Sequence, residues 1–309
     1  MSGPAPDAAA AGPRPHPVRV LATGLAMGAA DVVPGFSGGT VALVAGIYDR
    51  LIASVSAGAG LLGEVLRGRW RAVGPAWRAV DAPFVLTLLA GIAAALLTLA
   101  GPVERLLDER PVLMSAVFLG LVLGAAAIAP RRLRAPSGRH ARLVLGAAVV
   151  AAVVLGLRPV ADGTPPLTFL ALAGAVAVCA MILPGVSGSF LLLLLGAYEP
   201  VIAAVAARDV VTIAVVGAGM VTGLAVFARV LDRLLRRHHD TVLALLIGLM
   251  VGSARVLWPW PVGSGVGDAA LGAPGEGAGT AVLAAVLALG AVVGADRAAR
   301  RWSARAGAA

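Results

Sequence analysis

The sequence predicts an all-α polytopic membrane protein made of two inverted repeats, each a re-entrant helical hairpin followed by three transmembrane helices. Three observations carry this reading. The chain of 309 residues is 59% hydrophobic and only 13% charged. Six apolar runs are each close to the length of a membrane crossing. Two Pro-Gly-x-Ser-Gly segments superimpose without a gap when the chain is slid by 150 residues.

Composition sets the class. A soluble domain carries about 25% charged residues, and this chain has half that share with a mean hydropathy of +0.93. A single membrane domain over residues 18–296 follows. All 25 basic residues are Arg, and the formal charge is +9. These Arg residues lie in the gaps between apolar runs, which speaks for membrane orientation rather than nucleic-acid binding. The lone cysteine, Cys179, sits inside an apolar run. It excludes an intrachain disulfide and a multi-cysteine metal site, and reads as a small buried side chain. Residues 1–17, rich in Ala, Pro and Gly, are expected to be a disordered cytoplasmic tail. They are not a cleavable leader, because the apolar stretch that follows contains Asp31.

The apolar runs cover 82–101, 111–129, 142–157, 210–231, 240–258 and 278–295; a crossing needs about 20 helical residues. Two further regions, 18–57 and 167–206, are apolar but interrupted by Pro34-Gly35 and Pro184-Gly185. Arg collects before residue 20 and in the gaps 50–78, 130–142 and 229–240, and again in the tail 297–309; the gaps 158–166, 207–209 and 259–277 are poor in it. Arg-rich gaps belong in the cytoplasm, which puts both termini there. The assignment closes only if each interrupted region returns to the side it entered, the first from the cytoplasm and the second from outside.

The repeat has two registers. At an offset of 150, Asp31-Val-Val-Pro34-Gly35-Phe-Ser37-Gly38-Gly39 lies over Met181-Ile-Leu-Pro184-Gly185-Val-Ser187-Gly188-Ser189, with Gly24 over Gly174, Gly46 over Gly196 and Tyr48 over Tyr198. At an offset of 128, Gly120-Leu-Val-Leu-Gly124 lies over Gly248-Leu-Met-Val-Gly252. Repeat one spans about 18–157 and repeat two about 167–296. Three crossings per unit is an odd number, so the second unit is upside down relative to the first. Inverted repeats with broken helices at mid-depth mark secondary transporters.

Backbone that leaves the helix inside a bilayer must find partners in protein or water. Pro-Gly ends the first arm of each hairpin, and Ser37 or Ser187 starts the second as an N-cap. From Ser37 to Tyr48 is about 16 Å of helix, roughly half of a ~30 Å hydrocarbon core. Both Ser residues thus sit near the midplane, and Tyr48 and Tyr198 near the interfaces as anchors. Helix N-termini favour anions. Gly38, Gly39 and Gly188 allow close backbone approach, and Ser37, Thr40, Ser187 and Ser189 offer hydroxyls. The candidate substrate-binding residues are therefore Asp31, Pro34, Gly35, Ser37, Gly38, Gly39, Thr40, Pro184, Gly185, Ser187, Gly188 and Ser189, around a bound anionic group. An ionisable residue at depth is a functional candidate. Asp31 would repel an anion when charged, so it is expected to be protonated during part of a cycle or to pair with an Arg. Asp49 and Glu199 read as surface groups, and His238-His239 as a solvated loop. The Gly-x-x-x-Gly spacings at 24/28, 120/124, 219/223 and 248/252 read as helix packing.

Enzyme signatures are lacking. Gly35-Phe-Ser37-Gly-Gly39 has the letter pattern of a nucleophile elbow, but that motif needs a preceding strand and His and acidic partners. No P-loop, metal cluster or dinucleotide fingerprint occurs, so no cofactor and no metal are expected.

The two signatures, from Gly28 through Asp31, Pro34, Gly35, Ser37 and Thr40 to Gly46-Ile-Tyr48-Asp49-Arg50, and from Met181 through Pro184, Gly185 and Ser187 to Gly196-Ala-Tyr198-Glu199-Pro200, resemble a bacterial family once known only as a domain of unknown function. That family is now associated with polyprenyl-phosphate (undecaprenyl-phosphate) translocation. The resemblance runs from about residue 18 to 296 and is least close over 259–277. It implies a flippase in the bacterial cytoplasmic membrane that returns the lipid carrier of cell-wall synthesis to the inner leaflet. Nothing resembles an ATP-binding module, so an ion gradient or the lipid gradient itself is expected to drive the step. Protons are the expected ion, with Asp31 the first coupling candidate and Glu199 the second. The sequence assigns no oligomeric state. Two other readings stay open: a transporter of a small soluble anion, and a polyprenyl-diphosphate phosphatase. The phosphatase family also has a Pro-Gly-x-Ser motif, but with an Arg after the Ser and a Glu cluster; here Gly38 and Gly188 follow, and Glu64 is isolated.

Overall fold

The computed structural model describes residues 16–32, 37–156, 165–262 and 270–306. It is helical almost throughout. The helices are α1 (Pro17–Asp31), α2 (Gly38–Ala45), α3 (Tyr48–Leu66), α4 (Trp70–Ala79), α5 (Ala82–Glu109), α6 (Pro111–Ile128), α7 (Gly138–Val154), α8 (Leu167–Ile182), α9 (Gly188–Leu194), α10 (Tyr198–Ala206), α11 (Val210–Ser253) and α12 (Ala278–Ala306). Short 3-10 turns follow α6 and α11, and Pro261–Val262 pairs with Ala270–Leu271 in a two-residue ladder.

The predicted runs map onto these helices. Four are long and apolar enough to cross a membrane: Ala82–Glu109, Pro111–Arg132, Val210–Leu257 and Ala278–Ala298. This is a multi-pass membrane protein. The run 142–157 falls mostly in α7, which at 17 residues is shorter than these four. Runs 210–231 and 240–258 both fall in α11, whose 44 residues are interrupted at His238 (φ −136, ψ 46). A straight helix of that length would measure about 66 Å, over twice the ~30 Å core; the break divides it into a long first arm and a shorter second arm that the 3-10 turn Ala254–Leu257 extends. The expected tail at 297–309 is helical through Ala306 as the end of α12. The expected disorder of 1–17 lies outside the described residues, apart from His16 and Pro17 at the start of α1. The Arg-rich gap 50–78 is also helical, as most of α3 and all of α4.

Both interrupted regions fold back on themselves. In the first, the Arg19 guanidinium at the start of α1 donates to the carbonyl of Ala45 at the end of α2 (3.4 Å). In the second, Leu170 near the start of α8 packs with Leu192 and Ala197 at the end of α9. Each second arm ends in the same way. Gly46 (φ +77) and Gly196 (φ +66) take left-handed conformations. Ile47 N–H then reaches back to Ala42 O (3.0 Å) and Ala197 N–H to Leu192 O (2.8 Å), the Schellman arrangement that glycine permits. Beyond it, α10 leaves α9 at 109°.

Glycines set the helix pairs. A Cβ on Gly28 would stand 2.6 Å from Ile92 O of α5, and one on Gly91 of α5 would strike Leu21 O. Gly219 and Gly223 of α11 meet Ala171 and Ala175 of α8 in the same way. Gly120 and Gly124 of α6 lie against Ala285 and Leu289 of α12, while Gly248 and Gly252 of α11 lie against Val144 and Ala148 of α7. The four expected Gly-x-x-x-Gly stripes are thus all contact faces. The chain also crosses over between its halves, because α6 packs on α12 and α7 on α11.

The Arg-rich connections gather at one end. Asp240 accepts from the N–H groups of Arg134 (3.0 Å) and Ala135 (2.8 Å). Arg131 and Arg300 share Asp296 at 2.7 and 2.5 Å. Arg229 donates to Ala59 O. At the other end, Leu257 clusters with Val103, Leu107 and Met114.

Candidate functional site

The tips of the two hairpins meet inside the bundle and bond to each other. Ser37 is extended (φ −126, ψ 136) and caps α2, its hydroxyl accepting from Gly39 N–H at 3.1 Å. The same hydroxyl directs its proton to the end of α8, 3.3 Å from Met181 O and 3.2 Å from Leu183 O. One turn on, Thr40 Oγ1 accepts from Gly185 N–H at 2.8 Å. Ser37 and Thr40 are each 1% exposed. Carbonyls at the broken end of one hairpin thus find donors at the start of the other, which is how non-helical backbone is satisfied at depth.

Gly185 has to be glycine. Its φ is +85, and a Cβ would lie 2.6 Å from Met250 Cα and 2.7 Å from Ser253 Oγ. Pro184 beside it is fully buried. Pro34 and Gly35 of the first hairpin lie outside the described residues.

Asp31 occupies the position expected for a ligand. Its Oδ1 accepts from Gly38 N–H at 2.7 Å, and its carboxylate fills the space where a Gly38 side chain would stand. With Gly39 N–H bonded to Ser37 Oγ and Thr40 N–H to Ser37 O (2.9 Å), the first amides of α2 are all engaged. The helix start expected to favour a bound anion is thus occupied by the chain's own carboxyl and hydroxyl groups. The glycines are likewise filled rather than open. Gly39 faces Ile182 O, and Gly188 faces Met181 Cγ and Ala177 O.

The second hairpin carries a different chemistry on the same backbone. Ser187 precedes α9 in extended conformation (φ −97, ψ 132) but makes no side-chain cap. Its hydroxyl pairs with that of Ser189 at 2.8 Å instead. The position of Asp31 is taken by Met181, 46% exposed, and Ser189 is exposed as well. Among the described residues, Ser37 and Thr40 are therefore buried at this contact, whereas Met181 and Ser189 are exposed beside it.

Other expected residues fall elsewhere. Glu199 is exposed in the first turn of α10, beyond the 109° bend, and is not brought to the tips. Tyr198 is 38% exposed, as an anchor should be, but Tyr48 is 2% exposed and sits in the core cluster with Ile52, Leu243 and Ile247. His239 is not in a solvated loop. Its ring lies 3.1 Å from Asp240 and 3.3 Å from Asp49. The sequence reading also missed the carbonyls of Met181 and Leu183 and the hydroxyl of Ser253. Backbone acceptors have no sequence signal, but Ser253 lies opposite Ala125 in the 128-residue register.

Helix breaks that face each other across the interior of a multi-pass bundle define the class of membrane protein in which secondary transporters build their sites. Two relatives narrow the class. A polyprenyl-phosphate transporter of Vibrio cholerae serotype O1 is 39% identical over 239 residues, covering 77% of this chain and 76% of its own. A polyprenyl-phosphate transporter of Staphylococcus aureus is 30% identical over 257 residues, covering 76% and 84%. The chain belongs to the undecaprenyl phosphate translocase-like family, whose model matches residues 27–272. Both relatives are named as transporters rather than enzymes. No solved structure matches the chain.

Proposed function

We propose that this protein is a flippase that moves undecaprenyl phosphate, or a related polyprenyl phosphate, across the bacterial cytoplasmic membrane and so recycles the carrier lipid. The observation that carries the reading is the tip-to-tip contact, with an acidic side chain on a backbone amide where a phosphate oxygen would bind. A lipid monophosphate is an anionic head on an apolar tail. Its head passes between the two hairpins, and its tail stays in lipid.

The two halves work as inverted repeats, each a re-entrant hairpin with three crossings, and the Arg-rich end with both termini faces the cytoplasm. The paired contacts at Gly28, Gly91, Gly219 and Gly223 support that duplication. The head is received on the accessible side, by the Ser187–Ser189 hydroxyl pair, with Ser37, Gly38, Gly39, Thr40, Gly188 and the Pro-Gly breaks completing the site as the tips part. Asp31 couples transport to protons. Protonation removes its charge and weakens its hold on Gly38 N–H, so that a phosphate oxygen can displace it, and loss of the proton re-seals the tip.

The test is reconstitution in liposomes carrying a polyprenyl phosphate, following the leaflet of the head group under imposed pH gradients. Movement that depends on the protein, is lost in the Ser37→Ala/Ser187→Ala double variant and responds to the gradient is expected. Phosphate or another small anion entering the liposomes, with the lipid stationary, would replace this reading with a soluble-anion transporter. Release of phosphate from the diphosphate lipid would replace it with a phosphatase.

A further inference from the structure

A second feature lies away from the tips. Helices α1, α2, α6 and α12 enclose a groove of about 590 Å³. Its walls are largely apolar: Ala26 and Ala29 of α1, Val41 of α2, Phe118 and Leu121 of α6, and Val292 of α12. At its inner end it reaches Thr40, the residue that bonds Gly185 across the tips. At its outer end stand Arg19, Arg132, Arg300 and Asp296. From Arg19 to Ala30 the groove follows about 16 Å of helix.

The charge at the mouth is unbalanced. Asp296 is the one carboxylate there, and it is shared between Arg131 and Arg300. Arg19 and Arg132 have no carboxylate within ion-pair distance among the described residues. Arg19 donates to Ala45 O, and Arg132 to Val44 O at 2.5 Å. Each is thus held over the C-terminus of α2 by a carbonyl, a contact that uses part of a guanidinium with five N–H donors. Guanidinium groups at fixed positions are the residues of choice for phosphate oxygens, and basic pockets between membrane helices take up phosphate head groups.

We propose that this groove is a docking site for one polyprenyl monophosphate molecule, with its phosphate on Arg19, Arg132 and Arg300 and its first isoprene units along α1, α2 and α6. The assignment rests on the transport reading above and adds to it a separate station at the Arg-rich end, with Thr40 linking groove to tips. The occupant follows from the pairing of features. A free phosphate would not need an apolar channel several turns long, and an uncharged lipid would not need three arginines.

The experiment measures equilibrium binding of a polyprenyl monophosphate to the full chain in nanodiscs, with the corresponding polyprenol as the uncharged comparison, alongside leaflet exchange in liposomes. The Arg19→Gln/Arg300→Gln variant is expected to bind the monophosphate at least tenfold more weakly and to lose its preference over the polyprenol. Ala29→Trp, which fills the groove without changing charge, is expected to weaken both lipids. Ser37→Ala/Ser187→Ala is expected to abolish exchange while leaving binding in the groove in place. Thermal unfolding of each variant separates these effects from misfolding. Wild-type exchange with unaltered binding in both groove variants overturns the docking site and leaves the transport reading standing. Binding that is lost as expected, in a wild-type protein that exchanges no lipid, keeps the groove as a lipid site and removes the transport reading.

Discussion

The two hairpin tips share a backbone and differ in what they place on it. In both, an extended Ser precedes a short helix that ends at a left-handed glycine. In the first, a carboxylate lies on the helix start and a serine hydroxyl reaches across to the other hairpin. In the second, a methionine stands where the carboxylate was, and the serine bonds within its own turn. The shared backbone supplies position and leaves charge to be distributed unevenly. One tip holds a group that can titrate; the other offers an accessible face without one.

That comparison can be broken where the second tip is most constrained. Gly185→Ala combines a left-handed backbone, costing about 1–2 kcal/mol, with a collision against Met250, costing typically about 1–3 kcal/mol. A loss of roughly 2–5 kcal/mol is expected, seen as a large drop in thermal midpoint or in monodisperse yield. Thr40→Val removes the acceptor of a buried N–H while keeping shape, for a loss of about 1–3 kcal/mol in unfolding free energy. Ser37→Ala removes both a cap and a bridge and is expected to cost about 0.5–2 kcal/mol; Ser187→Ala, which loses only its bond to Ser189, should cost clearly less. Equal losses for the two serines would erase the asymmetry. Asp31→Asn keeps an acceptor for Gly38 N–H, so stability should change little while the response of transport to pH disappears. Moving the carboxylate with Asp31→Met/Met181→Asp sharpens the same point. Restored pH response in the double variant would mean that either tip can host the proton.

The smallest effect lies outside the membrane spans. Asp209 caps α11, and the Thr212 hydroxyl and N–H, with Val211 N–H, hold its carboxyl below the ordinary value. A depressed folded-state value means that the stabilisation is present above the unfolded pKa and fades as pH falls through the folded one. Asp209→Asn should keep the cap and flatten that acid-side slope in thermal melts.

Much of the architecture was legible because repetition and periodicity are sequence properties. The 150-residue register paired Gly24 with Gly174, and both glycines do lie at helix contacts, against Leu88 and Val216. The 128-residue register paired Gly120 with Gly248, and each faces a helix of the opposite half. The hairpin residues were legible as a set of candidates, but their arrangement was not. Nothing in the spacing of Asp31 and Gly38 shows that the carboxylate folds over the amide, because that depends on the path of the break between them. Tyr48 and Tyr198 align in sequence, yet only Tyr198 stays at the surface. Tyr48 is covered by the second arm of α11, a partner nearly two hundred residues away. His239 was misread for a related reason. A one-residue break in α11 leaves no loop to be solvated, and the ring closes onto Asp49 instead.

The exchange of partners between halves, α6 on α12 and α7 on α11, has a consequence for how such a molecule can be assembled. Neither half can hide all of its glycine-lined faces by itself, since the surfaces that match Gly120 and Gly124, and Gly248 and Gly252, belong to the other. Made as separate polypeptides, 16–156 and 165–306 should each be a poor substrate for folding and a good target for quality-control proteolysis, and co-expression should rescue both. Synthesis then becomes ordered in time: the first half must wait in the bilayer, incompletely packed, until the second arrives to close it.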